Sequence, residues 1–226
     1  MSEKAIDYFI SYPKSGRTWV RFMYLTYLEQ HFGLIEKNVF ETEEKLIHYW
    51  QPRWLHLGMA PSEGNPFYAI GNVNFKHLQN SSCVWITRNI YDTLVSLYHH
   101  ACHRSKTRYA GTISDFIRDP QYGAVKICCF YAAMFNFINK SKVLTISYED
   151  MQKDRRAVLL RLLNLVELTP NHDFVDEAVD KSSFENMKEL GNSYAYKKTW
   201  LAPKDISNLQ SYKIRKGISE AYREEL

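Results

Sequence analysis

The sequence lacks the features typical of secreted and membrane-spanning proteins, and these absences argue against both classes. Its four cysteines show no CxxC spacing, which favours buried thiols in a reducing compartment over a small disulfide scaffold; they are Cys83, Cys102, Cys128 and Cys129. The first residues show no charged segment followed by a long apolar stretch, so a secretory signal is not expected. We therefore expect a cytoplasmic protein.

Long apolar runs and dense basic stripes are missing too. The most apolar segment, 124–137, is interrupted by Lys126 and Asn136 and is too short to span a bilayer, so we interpret it as a buried helix. The formal net charge is only +4, and no stripe of lysine and arginine is present, so nucleic acid is not an expected partner. This small excess fits an anionic small-molecule site and equally an ordinary solvated surface.

What the sequence does contain is a repeated order of strand, loop and helix. The first unit has a β-rich run over Asp7–Tyr12 and a helical pattern over Thr18–His31. Two further units follow, with strands over 84–87 and 142–147, helices over 91–103 and 152–166, and a turn over 148–150. The pattern predicts an α/β fold, with helices flanking a central, mainly parallel sheet. We expect residues 1–226 to form a single domain whose ligands bind at the carboxyl ends of the strands.

The last third of the chain is more polar and irregular. It predicts a helix over Asp173–Lys181, and a basic loop over Tyr212–Gly217 that precedes a short helical tail.

The most informative segment is the loop after the first strand, YPKSGRTW over 12–19. A loop between strand and helix exposes backbone N–H groups at the positive end of the helix dipole, which binds phosphate or sulfate oxygens. Lys14 adds a mobile positive charge, and Gly16 lets the backbone approach the anion closely. Ser15 and Thr18 add hydroxyl donors. The loop is not a Walker A sequence, because the only nearby glycine follows the lysine.

This loop resembles the 5′-phosphosulfate loop of the sulfotransferases that use 3′-phosphoadenosine 5′-phosphosulfate (PAPS). The resemblance implies that Lys14 stabilises the bridging oxygen of the leaving group and that Trp19 stacks on the adenine. It assigns the sulfonate and 5′-phosphate oxygens to Ser15, Gly16, Arg17 and Thr18. Arg17 stands where many animal members carry threonine, and it adds a donor for the phosphates.

A second motif, RNIYDTLVSLYH, follows the second predicted strand over 88–99. Arg88 leaves the strand and Ser96 lies about two turns into the helix, so both can reach one anion, and a guanidinium suits bidentate phosphate binding. The motif is similar to the family's 3′-phosphate motif, which implies that Arg88 and Ser96 hold the 3′-phosphate and that Ser96 engages Lys14 before the acceptor binds. For Asp92 we expect a structural role in capping at the helix start.

Two later segments are similar to the family's adenine contacts. Tyr148, in SYEDM, would contact the adenine; in SSF, Ser182 would lie at its edge and Phe184 at its face. Taken singly, aromatic residues more often fill a core than bind a ligand, so this interpretation depends on their occurring together in the family's order.

The basic loop near the end, Arg215-Lys216-Gly217, resembles the RKG loop that closes over the 3′-phosphate. Basic loops are usually only solvated. The family's fuller form is RKGxxGxW, and here Glu220 and Tyr222 occupy its later positions.

The acceptor must lose a proton, and a neutral histidine suits that work. In the family this base lies between the two phosphate motifs at a strand end, often in KTH. The candidates in that interval are His31, His48, His56 and His77. We choose His56, because it ends a short apolar run suited to a strand, and keep His77 and Glu63 as alternatives.

No metal is implied, because the cations that offset charge are side chains. His99 and His103 could bind a metal at i, i+4 on a helix, but no HExxH glutamate and no third ligand accompany them.

These features predict a sulfotransferase that moves a sulfuryl group from PAPS to a hydroxyl or amine of a small molecule and releases adenosine 3′,5′-bisphosphate (PAP). The predicted catalytic residues are Lys14, His56 and Ser96. The alternatives are a P-loop kinase-like enzyme, against which the missing Walker A loop argues, and a nucleotide-binding module without a working base. The acceptor's identity, and the choice between monomer and homodimer, stay open.

Overall fold

The structure, a computed structural model, describes residues 6–34, 36, 38–41, 53–56, 81–105, 108–138, 143–199, 201–212, 217 and 219–226. The chain divides into two compact units. We call residues 6–15, 52–148 and 219–226 the sheet unit, and residues 1–5, 16–51 and 149–218 the helical unit.

Each of the three predicted strand–helix units has its helix among the described residues. In chain order the described helices are α1 (Arg17–His31), α2 (Ile90–His103), α3 (Ile113–Arg118), α4 (Ala124–Ile138), α5 (Tyr148–Lys153), α6 (Arg155–Leu165), α7 (His172–Lys181) and α8 (Phe184–Asn192). Short 3-10 turns span Tyr194–Tyr196, Leu209–Ser211 and Ala221–Glu224. The last of these is the predicted helical tail, whereas α3 and α8 were not predicted.

The sheet unit contains a parallel sheet with the strand order β2-β1-β3-β4. Its strands are β1 (Tyr8–Ser11), β2 (Arg53–His56), β3 (Cys83–Thr87) and β4 (Val143–Ser147). Ser11 lies opposite both His56 and Ile86 in the register, so these strands end at one edge of the sheet. The predicted parallel α/β arrangement is confirmed, as is a strand that ends at His56.

The core of the sheet unit follows from the alternation of side chains along two strands. Cys83 and Trp85 are two residues apart on β3 and face the same side of the sheet, where Ile10 of β1 and Tyr12, just after its end, join them. They pack with residues of α2 and α4, namely Leu94, Ile127, Phe130 and Met134. The rings of Tyr12 and Phe130 lie 5.3 Å apart.

Helix α4 was expected to be buried, and this expectation is only half right. The residues that face the core recur at helical spacing, which leaves the opposite face outside. Val125 is 68% exposed and Phe135 is 62% exposed. Of the four cysteines expected to be buried, Cys128 and Cys129 are exposed and Cys102 is half-buried, whereas Cys83 is buried.

The segment after β4 also differs from the prediction. The turn expected over 148–150 is wrong, because Tyr148 begins α5 directly after the strand. The single helix expected over 152–166 is interrupted at Asp154, whose carboxylate accepts a hydrogen bond from the N–H of Ala157 at 2.9 Å. This N-cap starts a new helix, α6, at Arg155.

The helical unit packs α1 against α6 and α7, and α6 against α7. The Tyr27 ring lies 6.4 Å from that of Phe174, and its hydroxyl accepts a hydrogen bond from the N–H of Asn171 at 3.2 Å. Asn171 in turn caps α7 by accepting from the N–H of Asp173 at 3.0 Å. The helix predicted over 173–181 is thereby confirmed.

Candidate active site

The loop between β1 and α1 contains two residues in the left-handed region of backbone space. Gly16 has φ +94°, which glycine adopts at little cost, and it directly precedes the helix. Lys14 has φ +72°, which is rare for a residue with a side chain and costs of order 1–3 kcal/mol. Backbone strain of this kind concentrates at ligand sites, and here it falls on the lysine that the sequence singled out.

The start of α1 is typical of an anion-binding helix end. The first helical hydrogen bonds run from the N–H groups of Trp19, at 2.9 Å, and Val20, at 3.2 Å, to the carbonyl of Gly16. N–H groups in the first turn have no carbonyl inside the helix to bond to, so they point outward with the positive end of the dipole.

Three buried hydroxyls cluster in sequence at the carboxyl end of β1. The side-chain oxygens of Ser11, Tyr12 and Ser15 have no hydrogen-bond partner among the described residues. Burial, with Tyr131 nearby, raises the pKa of Tyr12, so its hydroxyl stays protonated and can donate. Buried polar groups in folded proteins are nearly always paired, so these three hydroxyls are donors whose partners the described residues do not supply.

Arg88 contacts two other predicted site residues within the sheet unit, Lys14 and Tyr148. Its Nη1 donates a hydrogen bond to the carbonyl of Lys14 at 3.1 Å, and its guanidinium carbon lies 4.0 Å from the centre of the Tyr148 ring. The Nε atom of Arg88 is buried and has no partner among the described residues, so it remains available as a donor.

Tyr131 of α4 fixes the backbone of this arginine, and sequence reasoning missed it. Its hydroxyl accepts a hydrogen bond from the N–H of Arg88 and donates one to the carbonyl of the same residue, each at 3.0 Å. No local pattern connects two residues so far apart in sequence.

Helix α2 carries Ser96, which is half-buried, in its second turn. The cap of this helix is Asn89, whose side chain accepts from the N–H groups of Tyr91 at 2.9 Å and Asp92 at 3.3 Å. The expectation that Asp92 caps the helix is therefore wrong. Its carboxylate instead accepts hydrogen bonds from the backbone of Glu220 and Tyr222.

Two arginines on α1 lie in a desolvated environment. Burial, with a smaller contribution from Arg21, lowers the pKa of Arg17 to about 9, and burial lowers the pKa of Arg21 to about 10. A lowered pKa means that the surroundings disfavour the charged guanidinium. A bound phosphate or sulfate would favour the charged form, so Arg17 suits an anion site. Thr18 is half-buried beside it in the first turn.

Two of the predicted adenine contacts are joined within the helical unit. The indole N–H of Trp19 donates to the carbonyl of Ser182 at 2.6 Å, although the two are far apart in sequence. Ser182 is buried and its hydroxyl donates to the carbonyl of Val179 at 3.1 Å, which leaves its oxygen as an acceptor.

Phe184 and Gly217 form a second close pair in the same unit. Gly217 has φ +69°, and a Cβ placed on it would lie within 2.7 Å of the Cγ, Cδ2 and Cε2 atoms of the Phe184 ring. Its carbonyl accepts a hydrogen bond from Nε2 of Gln152 at 2.5 Å. Sequence reasoning missed Gln152, because nothing in α5 marks it as a partner of a residue near the end of the chain.

Several predicted residues lie outside the described ranges. They are Arg215 and Lys216 of the basic loop and, among the alternative bases, His48, Glu63 and His77. His56 is described only as the last backbone position of β2. His31 ends α1, where its ring stacks on that of Tyr27 at 5.9 Å.

The described residues contain no group of three or more histidine, cysteine, aspartate or glutamate side chains that could hold a metal ion. None of the helices in the described ranges has the length and apolarity that crossing a membrane requires.

The sequence matches the family model of the sulfotransferase domain over residues 7–226. The chain therefore belongs to the sulfotransferase family, and the predicted resemblance and enzyme class are confirmed. Among curated relatives, it is 27% identical over 190 residues to an amine sulfotransferase of Oryctolagus cuniculus and 25% identical over 231 residues to sulfotransferase 1E1 of Homo sapiens. These alignments cover 79% and 92% of this chain, and they span 62% of the first relative and 74% of the second.

Solved structures give the same fold. Mouse sulfotransferase SULT7A1 in complex with PAP has a TM-score of 0.64 at 21% identity, covering 99% of this chain and 80% of that protein. A retinol dehydratase in complex with retinol and PAP has a TM-score of 0.59 at 16% identity, covering 99% of this chain and 77% of that protein.

Proposed function

We propose that this protein transfers a sulfuryl group from PAPS to a hydroxyl or amine of a small-molecule acceptor and releases PAP. Family membership over residues 7–226 supports the reaction class and supports treating the chain as one sulfotransferase domain. The observation that carries the proposal is the arrangement of Arg88, which bonds the backbone of Lys14 and stacks on Tyr148. Cytoplasmic localisation stays a prediction from the sequence.

The proposal assigns the phosphosulfate to the loop after β1, through Lys14 and the residues 15–18. It assigns the 3′-phosphate to Arg88, Ser96 and the loop 215–217. The unpaired hydroxyl of Ser15 and the buried guanidinium of Arg17 support the first assignment, because both gain from an anion.

The adenine is assigned to one serine and three aromatic residues, namely Ser182, Trp19, Tyr148 and Phe184. The hydrogen bond from the indole of Trp19 to the carbonyl of Ser182 supports assigning these two to one ligand. Aromatic faces bind a base by stacking, worth about 1–3 kcal/mol per base, and a serine oxygen can accept from its amino group.

In the proposed mechanism, the PAPS donor supplies the sulfuryl group. His56 accepts the acceptor's proton as the new oxygen–sulfur or nitrogen–sulfur bond forms. Lys14 offsets the negative charge that develops on the bridging oxygen as the sulfur–oxygen bond to the 5′-phosphate breaks. Transfer of this kind depends mainly on alignment and charge stabilisation, which fits a site built from side-chain and backbone donors.

The decisive experiment is calorimetric titration with PAP, with adenosine 5′-monophosphate (AMP) and with magnesium ATP. We expect PAP to bind at least about tenfold more tightly than AMP, because the 3′-phosphate gains charge-assisted hydrogen bonds. Arg88→Ala should abolish that preference, whereas Arg118→Ala, an exposed arginine on α3, should keep it. Equal binding of PAP and AMP, or tighter binding of magnesium ATP, would contradict the proposal.

The choice of base needs its own test. We expect His56→Ala to lower turnover about a hundredfold or more and to leave PAP affinity unchanged, because a general base acts on the acceptor. His172→Ala, which changes an exposed histidine at the start of α7, is the matched control. Full activity of His56→Ala would exclude His56 and turn attention to His77 and Glu63.

A further inference from the structure

The residues after the predicted basic loop are held against helix α2. We call residues 219–226 the terminal segment; it contains the last 3-10 turn and belongs to the sheet unit together with α2. Both oxygens of the Asp92 carboxylate accept backbone hydrogen bonds from this segment. The donors are the N–H groups of Glu220, at 2.8 Å, and Tyr222, at 3.1 Å.

Two more contacts join the terminal segment to the same helix. Nε2 of His99 contacts the carboxylate of Glu225. The rings of Tyr91 and Tyr222 lie 5.1 Å apart. The segment is thus held near the start of α2 and again about two turns further along it.

Ser96 lies between these two attachment points. It follows Asp92 by one helical turn and precedes His99 by one, and residues at this spacing share one face of a helix. The terminal segment is therefore attached to the face of α2 that presents Ser96, the residue to which the proposed function assigns the 3′-phosphate.

The attachment is driven by a buried carboxylate. Asp92 is only 1% exposed, and a buried anion without donors is strongly disfavoured. Because the described donors to its two oxygens come from the terminal segment, Asp92 favours one position of that segment. The backbone at Glu220 has φ +61°, so this position is kept although the residue there is strained.

We propose that Asp92 and His99 are positioning residues for the 3′-phosphate site, an inference that rests on the proposed function. By holding the terminal segment along α2, they fix the backbone of that segment on the face of the helix that presents Ser96. Neither residue is assigned a contact with the nucleotide. Binding of the 3′-phosphate at Ser96 then depends on the two side chains that hold this segment in place.

The direction in which Asp92→Asn changes 3′-phosphate affinity distinguishes a positioning role from a purely electrostatic one. Asp92 carries a negative charge on the same helix face as Ser96, so its removal by Asp92→Asn would strengthen 3′-phosphate binding if charge alone mattered. If Asp92 is a positioning residue, Asp92→Asn should instead weaken 3′-phosphate binding, because the new amide group cannot accept from both N–H groups of the terminal segment.

The test is the ratio of AMP to PAP dissociation constants, measured by calorimetry on the full chain. We expect this ratio to fall about tenfold in Asp92→Asn while AMP affinity stays unchanged. Asp115→Asn is the control, because it removes a carboxylate that caps α3 and does not belong to the attachment. His99→Ala and Glu225→Ala should each lower the ratio, and the double variant should lower it no further than either single one.

The outcomes distinguish this inference from the proposed function. If the wild-type protein does not prefer PAP to AMP, the proposed function fails and the inference fails with it. If the wild type prefers PAP and Asp92→Asn keeps or raises the ratio, only the positioning role is overturned. If Asp92→Asn does not fold, the His99 and Glu225 variants decide: additive or absent effects overturn the inference, and non-additive losses support it.

Discussion

Gly217 offers the sharpest test of the packing in the helical unit. Substitution by alanine adds one methyl group at a residue with φ +69°. The backbone conformation alone costs roughly 1–2 kcal/mol for a residue with a side chain. The new methyl group would also lie within 2.7 Å of three atoms of the Phe184 ring, so either the ring or the loop must move.

Overpacking of this kind typically costs about 1–3 kcal/mol. We therefore expect Gly217→Ala to lower the free energy of unfolding by about 2–5 kcal/mol if the loop stays in place. If the loop detaches instead, the hydrogen bond from Gln152 is lost and the cost is about 1 kcal/mol. PAP affinity falls in both cases, because Phe184 is a proposed adenine contact.

The assay is urea denaturation of four proteins, namely wild type, Gly217→Ala, Phe184→Ala and the double variant. Removing the ring makes room for the methyl group. The double variant should therefore be about 1–3 kcal/mol more stable than the sum of the two single effects predicts. Relative to Phe184→Ala, it should lose only the free energy that the left-handed backbone costs an alanine. Additive effects within about 0.5 kcal/mol would refute the contact between Gly217 and the Phe184 ring.

Three further predictions concern single residues. Glu220→Gly should be more stable to urea than Glu220→Ala by roughly 1–2 kcal/mol, because both lose the ion pair with Arg223 but only glycine relieves the left-handed backbone at φ +61°. Trp19→Phe should lower the midpoint of thermal unfolding, because the loss of the indole N–H removes a hydrogen bond to Ser182 worth about 1 kcal/mol. Arg17→Thr should leave the unliganded protein as stable as the wild type or more stable in denaturation, because it removes a buried guanidinium whose pKa is lowered by burial to about 9. The same variant should bind PAP about tenfold more weakly in calorimetry.

Each of these has a clear contrary result. Equal stability of the glycine and alanine variants at 220 would mean that the terminal segment does not hold its left-handed turn. An unchanged thermal midpoint in Trp19→Phe would contradict the bond to Ser182. Unchanged PAP affinity in Arg17→Thr would remove that guanidinium from the proposed phosphate site.

Features encoded by neighbouring residues were predictable from the sequence. The run from Asp7 to Tyr12, a Gly-containing loop and an apolar helical pattern predicted β1, the loop that follows it and α1 within a residue or two. The strand ending at His56 was found in the same way. Elements of this kind depend on local backbone preference and on side-chain alternation, both of which can be read from a short window.

The predictions that were wrong concern short segments whose sequence fits two structures, so that tertiary packing selects between them. The Tyr148-Glu149-Asp150 segment resembled a turn, but these residues also fit a first helical turn, with two carboxylates near the positive end of the dipole. Helix α4 was expected to be buried all round, because its composition does not reveal which face lacks a partner.

A reader of the sequence alone could thus find the three strand–helix units and the membership of the sulfotransferase family. The contacts between distant residues became visible only in the folded chain: Tyr131 on the backbone of Arg88, Gln152 on Gly217, and Asp92 on the terminal segment. The physical reason is that each contact joins one side chain to a distant backbone group. Every residue of the chain offers such a group, so no residue type marks the partner, and folding alone selects it.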